Sequence, residues 1–143
     1  LESKAITSLL RMPPSFETFA NLRQLLRDME EHLDERAAFH QSDLAFHQTI
    51  VTASNNRTLF RLWNTMTPAV MTLQEISNDE VSRERLLGVV ADHQRIVDAI
   101  RNNDGRAAKS TLRQHMRSGF ELIAQVLERN FVHPQHAQPT DET

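Results

Sequence analysis

The fold is decided by residues 86–126, which read LLGVVADHQRIVDAIRNNDGRAAKSTLRQHMRSGFELIAQV. Apolar side chains recur here every three or four residues, which is the period of an amphipathic helix and not of a β-strand. The pair Asn103-Asp104 interrupts that period, and its short polar side chains are suited to capping the helix that follows. The run therefore predicts two helices joined by a short turn, which makes them antiparallel neighbours. The inward positions are Leu86, Val89, His93, Ile96 and Ile100 in one helix and Ala108, Leu112, His115, Gly119, Leu122 and Val126 in the other.

The same helical period continues on the N-terminal side of this run. We predict a short helix over residues 1–11, a second capped by Ser15, a third over about residues 35–52, and a fourth that follows Ser54-Asn55-Asn56. The fifth helix is predicted to open at Asn78 or Asp79. The whole chain has only three glycines and five prolines, a balance that favours long helices over strands and tight turns. The sequence thus predicts an all-α fold, an antiparallel bundle of six or seven helices.

The length of the chain limits its domain organisation. Its 143 residues allow one globular domain, which we place at residues 1–132, followed by a polar, proline-containing tail at 133–143 that is predicted to be disordered. The opening Leu1-Glu2-Ser3 is neither an initiating methionine nor a signal peptide, so we expect a fragment of a longer protein. No apolar run approaches the roughly 20 residues that span a bilayer, which predicts a soluble, cytoplasmic protein with no membrane partner.

Composition excludes several classes of function. The absence of cysteine removes disulfides, thiolate nucleophiles and every cysteine-based metal site. Sixteen basic and nineteen acidic residues give a formal charge of -3. Because the two signs are interspersed along the sequence, this chain lacks the concentrated positive charge of a protein that contacts DNA directly. Any metal must therefore be held by histidine, aspartate or glutamate.

Four polar residues fall within the apolar stripes and need an explanation. Asp43 and His47 are four residues apart, so they project from one face of the third helix. His93 and His115 occupy inward positions of the fifth and sixth helices. An unpaired carboxylate or imidazole is costly to bury, by several kcal/mol. We therefore predict that Asp43, His47, His93 and His115 together hold one divalent metal ion.

The remaining histidines fit this site less well. His32 lies beside a pair of glutamates on a solvated face, and His133 and His136 lie in the tail, so all three are predicted to be bystanders. His40 is an exception, because it lies three residues before Asp43 and seven before His47 and can reach the same cavity.

Two other functional interpretations remain open for the quartet, as we call Asp43, His47, His93 and His115. A metal-dependent hydrolase would use the same cation to acidify water, but it would also need a general base that no motif identifies. A purely structural bundle would satisfy the histidines with hydrogen bonds alone. Motifs for a di-iron carboxylate site, a His-Glu-x-x-His protease, a phosphate loop and a Gly-x-Ser-x-Gly elbow are absent from the sequence. We therefore expect the chain not to be an enzyme.

Several short motifs resemble those of a known family. These are DLAFHQTI at residues 43–50 with ASNN at 53–56, Asp92-His93-x-x-Ile96, Asp104-x-x-Ala107-Ala108, and RQHM at 113–116. In order and spacing they resemble the FCD domain, the C-terminal ligand-binding domain of FadR-subfamily GntR transcription regulators. Even Leu1-Glu2-Ser3-x-Ala5 resembles the opening helix of that family.

The resemblance implies a helical bundle that forms a homodimer and holds a metal through Asp43, His47, His93 and His115. Zinc or nickel is favoured, with manganese as an alternative. The resemblance also implies that a small carboxylate effector binds beside the metal and alters how tightly an attached winged helix-turn-helix domain binds operator DNA. That N-terminal domain is missing from this chain. Many family members carry an effector-clamping arginine at a position that would precede Leu1, so the effector-binding residues stay unassigned.

Overall fold

A computed structural model describes residues 1–77 and 81–132, and every regular element in these two ranges is helical. The elements are α1 (Glu2–Arg11), α2 (Phe16–Glu31), α3 (Arg36–Ala53), α4 (Arg57–Ser77), α5 (Arg83–Arg101) and α6 (Gly105–Leu127), and a π-helical turn, Glu128–Val132, follows α6. The predicted all-α class is confirmed. The predicted tail at 133–143 lies outside the described residues.

Polar side chains at the helix starts set the bounds of these elements. The Ser15 hydroxyl accepts a hydrogen bond from the Thr18 backbone N–H, and the Asp104 carboxylate accepts one from the Ala107 backbone N–H, as N-caps do. Asn56 caps α4 in the same way through the backbone N–H of Leu59. These three predicted boundaries are therefore explained by side-chain oxygens that satisfy otherwise unpaired donors.

The predicted start of the fifth helix is wrong. Helix α5 begins at Arg83, and Ser82 is its N-cap, because the Ser82 hydroxyl accepts a hydrogen bond from the Arg85 backbone N–H. Asn, Asp and Ser are all good N-caps, so the sequence offered several starts within one turn. Asn78 and Asp79 themselves lie outside the described residues.

The helices pack around one apolar core. Neighbouring pairs along the chain lie side by side, α2 with α3 and α5 with α6, and α2 also packs on α5. The core includes Phe39 and Phe46 of α3, Ile96 of α5 and Leu112 of α6, none of which exposes more than 2% of its surface. This arrangement brings the middle turns of α3, α5 and α6 together, which is where the predicted site residues lie.

Helix α1 covers one side of the bundle and packs against α3 and α6. Its buried side chains include Ala5, Ile6 and Leu9, which are at most 1% exposed. It meets the first residue of α6 closely, because a Cβ atom on Gly105 would lie 2.3 Å from Leu10 Cδ1. No helix in the described ranges is both long enough and apolar enough to cross a membrane.

Candidate metal centre

The structure brings the four predicted residues into one cluster. Each of Asp43, His47, His93 and His115 offers a ligand atom, and these atoms all lie within 4.8 Å of one another. His93 is fully buried, His47 is 5% exposed, and the other two are partly buried. Three helices contribute, so the cluster exists only when α3, α5 and α6 are packed together.

Helical geometry places each donor. One turn of α3 separates Asp43 from His47, so both side chains leave the same face. The three imidazoles stand close to one another, with ring centroids 4.9 Å apart for His47 and His93 and 4.5 Å apart for His93 and His115. Phe46 packs on the His93 ring at a centroid distance of 4.3 Å and closes the cluster on its core side.

Three donor atoms form a nearly regular triangle. His47 Nε2 lies 3.1 Å from His93 Nε2, and Asp43 Oδ1 lies 3.4 Å from His93 Nε2 and 3.6 Å from His47 Nε2. Neighbouring ligands bound about 2.0–2.1 Å from an ion lie about 2.9 Å apart at a six-coordinate centre and about 3.3 Å apart at a tetrahedral one. The observed separations are close to both spacings, so the three donors suit one ion without any rearrangement of the helices.

A buried carboxylate oxygen supports the same assignment. Asp43 Oδ1 is inaccessible to water and makes no hydrogen bond. Leaving such an oxygen without a hydrogen bond costs about 1–3 kcal/mol. A divalent cation among the three donors satisfies Asp43 Oδ1 directly, so the residues present fit a metal ion.

Glu2 is a member of the site that the sequence did not identify. Its carboxylate, 5% exposed, accepts a hydrogen bond from His47 Nδ1 at 2.5 Å. A carboxylate behind a ligating histidine fixes the tautomer that leaves the other ring nitrogen free for a metal. One sequence signal was present, since Glu2 shares the spacing of Ile6 and Leu9 and therefore lies on the buried stripe of α1.

Two further polar side chains contact the quartet. The Gln74 amide, from α4, donates a hydrogen bond of 3.0 Å to Asp43 Oδ2, which leaves Oδ1 directed at the histidines. Asp92 Oδ2 lies 3.7 Å from His115 Nδ1, a distance too long for a hydrogen bond. Neither residue was predicted, because each belongs to a helix face that also carries exposed polar residues.

The pKa values of the three imidazoles shift in different directions. Burial by itself would lower the pKa of His47, but the carboxylates of Glu2 and Asp43 outweigh it and raise that pKa to about 10. Burial lowers the pKa of His93 well below its usual value, and it lowers the pKa of His115 together with the nearby His47 charge. Burial would raise the pKa of Asp43, but its contact with His47 and the histidine charges lower it.

Neither of the two other histidines in the described residues belongs to the cluster, and His32 is part-buried where a solvated face was predicted. His32 Nδ1 donates to the Asp28 carbonyl at 2.6 Å, so its ring is engaged at the end of α2. His40 lines the same cavity as Asp43 and His47, but it is outside the group of converging ligands. His133 and His136 lie outside the described residues.

A cavity of about 980 Å³ adjoins the quartet. Asp43, His47 and His115 form part of its wall, and α4, α5 and α6 supply most of the remainder. A volume of this order is at the upper end of the range for small-molecule sites, which is about 300–1,000 Å³. A ligand in the cavity can therefore reach the donor atoms of the quartet.

Comparison with known proteins gives a family match. A sequence model of the FCD domain matches residues 1–118. The chain is 30% identical over 124 residues to the Uxu operon transcriptional regulator of Escherichia coli strain K12, an alignment that covers 81% of this chain and 47% of that protein.

A second relative and a solved structure agree with this match. The chain is 28% identical over 82 residues to a probable D-xylose utilization operon transcriptional repressor of Paenarthrobacter nicotinovorans, covering 57% of this chain and 35% of that protein. The chain thus spans less than half the length of these two relatives. The structure of E. coli McbR/YncC matches with a TM-score of 0.69 at 18% identity, over 87% of this chain and 59% of that chain. That likeness concerns the fold alone.

Proposed function

Because this chain belongs to the FCD domain family, we propose that it is the metal-containing effector-binding and dimerisation domain of a GntR-family transcription regulator of the FadR subfamily. In this proposal it senses a small organic acid in the cytoplasm. The bound acid changes how an attached winged helix-turn-helix domain binds operator DNA.

One observation supports the sensing role above all others. The donor atoms of the quartet converge at the wall of a cavity, and Asp43 Oδ1 has no hydrogen-bond partner there. A structural bundle would instead satisfy such groups within the protein. The arrangement therefore favours a site that holds a cation and offers it to a ligand in the cavity.

Asp43, His47, His93 and His115 would hold the ion. With three neutral imidazoles and one carboxylate, a bound dication leaves a local charge near +1 that attracts an anionic oxygen. The Glu2 carboxylate behind His47 reduces the charge of the whole centre, so direct contact with the ion matters more than long-range attraction. Zinc or nickel is favoured by the imidazole-rich donor set, with manganese as an alternative.

The chain is a regulatory domain and not an enzyme. Its family is regulatory, and the two relatives described above carry the names of a transcriptional regulator and a transcriptional repressor. The comparisons give the hydrolase alternative no support.

The dimerisation proposal rests on exposed apolar side chains. Helix α4 carries four of them, which are between 38% and 47% exposed, and three of these, Leu62, Met66 and Ile76, share one helix face, whereas Met71 lies on the opposite face. Adjacent exposed apolar residues are a common feature of protein interfaces, and twofold pairing is the commonest assembly. Light scattering at micromolar concentration is expected to give twice the chain mass, and a purely monomeric mass would contradict the proposal.

Thermal melting with carboxylate ligands tests the sensing proposal. The 143-residue chain is stripped with a chelator, reloaded with zinc, and melted with hydroxy acids, dicarboxylates, sugar acids and aromatic acids. We expect at least one acid to raise the melting temperature of the metal-loaded chain and to have little effect on the stripped chain or on Asp43→Ala. The variant His32→Ala is the matched control and should respond like the wild type.

The regulatory part of the proposal needs the parent protein. An acid that binds this domain is expected to change the operator affinity of the full-length protein by roughly 5- to 150-fold, the usual range of coupling between two sites. Binding that leaves operator affinity unchanged, or consumption of the acid by the domain, would contradict the sensor role.

A further inference from the structure

The wall of the cavity is mostly apolar away from the quartet. Most of its apolar residues come from α4, α5 and α6, and these include Val70, Leu73, Val89, Met116 and Leu122. Acetate would fill a small part of the 980 Å³ volume. The cavity therefore offers an apolar surface to whatever is attached to a carboxylate bound at the quartet.

Several polar groups of the wall already have partners within the protein. The Thr67 hydroxyl donates to the Trp63 carbonyl at 2.9 Å, and the Ser82 hydroxyl accepts from the Arg85 backbone N–H at 3.2 Å. The Arg85 guanidinium donates to the Ser118 carbonyl. A ligand rich in hydroxyl groups would give up its hydrogen bonds to water and find these three groups already engaged. Polar side chains such as Gln74, Glu84 and Arg113 also line the cavity, but apolar side chains form most of the remaining wall, so it favours a ligand with a largely apolar body.

Two glycines make extra room in this wall. Gly88 lies in α5 and Gly119 in α6, and both line the cavity. Glycine is a poor helix former, and its usual justification inside a helix is the close approach of another element. That reason is absent at both positions, because a Cβ atom built on either glycine meets no other atom within 4 Å. Gly119 is partly buried and Gly88 is exposed, so the open space beside them faces solvent and is accessible to a ligand.

We propose that the effector is a carboxylic acid with a bulky apolar body, aromatic or branched aliphatic, whose body lies against Gly88 and Gly119. Its carboxylate is directed at the quartet. This inference rests on the proposed function, because it assumes that the cavity is the effector site. It adds the chemical class of the ligand and the two positions that set its size.

Calorimetric titration of the zinc-loaded chain tests the class of ligand. The probes are acetate, gluconate, benzoate and 4-isopropylbenzoate, which share one carboxylate and differ in the attached body. We expect the two aromatic acids to bind at least about tenfold more tightly than acetate and gluconate, because burial of apolar surface favours binding in proportion to the area buried. Tighter binding of gluconate than of either aromatic acid would overturn the inference.

Cavity-filling variants test the two glycine positions. Gly88→Leu and Gly119→Leu add a side chain where there is open space, and both replace glycine with a better helix former, so the fold should be kept. We expect each variant to bind 4-isopropylbenzoate at least about tenfold more weakly, with acetate binding changed less than about threefold, because only the larger body meets the added atoms. Gly88→Ala and Gly119→Ala are the matched controls and should have smaller effects.

The outcomes separate this inference from the proposed function. Circular dichroism and zinc titration of each variant establish that the helices and the quartet are intact. Equal losses for acetate and 4-isopropylbenzoate in the leucine variants, or no loss for either, would overturn the glycine assignment while carboxylate binding stands. Failure of every acid to bind the zinc-loaded wild type would remove the proposed function, and this inference with it.

Discussion

The two ring nitrogens of His47 make different contacts. Nδ1 donates to the Glu2 carboxylate, while Nε2 lies among Asp43 and His93 at 3.1–3.6 Å. In the neutral ring this hydrogen bond keeps the proton on Nδ1 and leaves the Nε2 lone pair directed at the quartet. His47 therefore connects the candidate metal centre to α1.

Alanine substitutions should distinguish ligands from bystanders. We expect His93→Ala and His115→Ala to reduce zinc affinity severely, because each removes a donor from the quartet. His32→Ala and His133→Ala should leave it unchanged, since His32 is engaged at the end of α2. Calorimetric zinc titration provides the measurement, and equal losses from all four substitutions would show that the ligands are wrongly assigned.

The raised pKa of His47 predicts the release of a proton when a metal binds. With its pKa near 10, His47 is charged at pH 8 in the metal-free chain, and it must lose that proton to become a ligand. We expect about one proton released per ion at pH 8, whereas a histidine with the ordinary pKa of about 6.5 would release almost none. Titrations in two buffers of different ionisation enthalpy measure the number.

The raised pKa of His47 also determines how zinc affinity and the stability of the metal-free chain change with pH. Zinc affinity should fall by about tenfold for each unit that the pH drops between 9 and 7, because one proton competes with the ion. In the metal-free chain the charged His47 stabilises the fold fully below about pH 6.5, and this contribution is lost as the pH rises towards about 10. Zinc affinity that is independent of pH between 7 and 9 would contradict the assignment.

Glu2→Ala tests the contact behind His47. Loss of a carboxylate that orients a ligating histidine typically weakens metal binding by about 10- to 100-fold, and we expect a loss in that range by calorimetry. Glu17→Ala is the matched control, because Glu17 is an exposed glutamate in the first turn of α2. Indistinguishable zinc affinities of the two variants would remove Glu2 from the site.

At the residue scale the sequence predicted the quartet but missed its supporting contacts. Asp43, His47, His93 and His115 were detectable because polar residues at buried helical positions conflict with the apolar pattern. Glu2 is 45 residues from His47 in the sequence, and no local pattern connects them. Only the packing of α1 on α3 brings the two together.

At the scale of single helices, capping decides where an element begins. The Asp104 carboxylate accepts a hydrogen bond from the Ala107 backbone N–H at 2.9 Å, and it makes no other side-chain hydrogen bond within residues 1–77 and 81–132. We expect Asp104→Ala to lower the free energy of unfolding by about 1 kcal/mol, the usual effect of losing an N-cap. Denaturant unfolding measures this, and Ser110→Ala on the exposed face of α6 is the control that should change little. An equal effect of both substitutions would exclude the capping role.

Helix existence was easier to predict than helix bounds. The helical period of apolar residues in α5 and α6 extends over five turns or more, so it remains detectable even where a few positions depart from it. The start of α5 was placed too early because Asn78, Asp79 and Ser82 are all suitable caps. Which of them is used depends on packing against the rest of the bundle, and packing is not visible in a local pattern.

At the scale of the whole molecule, the site and the fold depend on each other. The donors come from three helices, so a metal ion bound among them holds α3, α5 and α6 together. An ion that binds only the folded chain adds about 2.7 kcal/mol to its stability at 100 times the dissociation constant. The antiparallel bundle could be predicted from the three- and four-residue spacing of apolar side chains and from the short turns between helices. The cavity beside Gly88 and Gly119 arises only when the helices are assembled, and it was not predicted.

Metal content is the most direct test of the central claim that this bundle is built around a metal ion. The 143-residue chain, purified without a histidine tag, is reconstituted separately with zinc, nickel and manganese, freed of excess ion, and subjected to elemental analysis. We expect about one divalent ion per chain for at least one of the three metals, with the content lost in a chain carrying both His93→Ala and His115→Ala. Absence of all three metals from the reconstituted wild-type chain, or the same content in the double variant, would contradict the account.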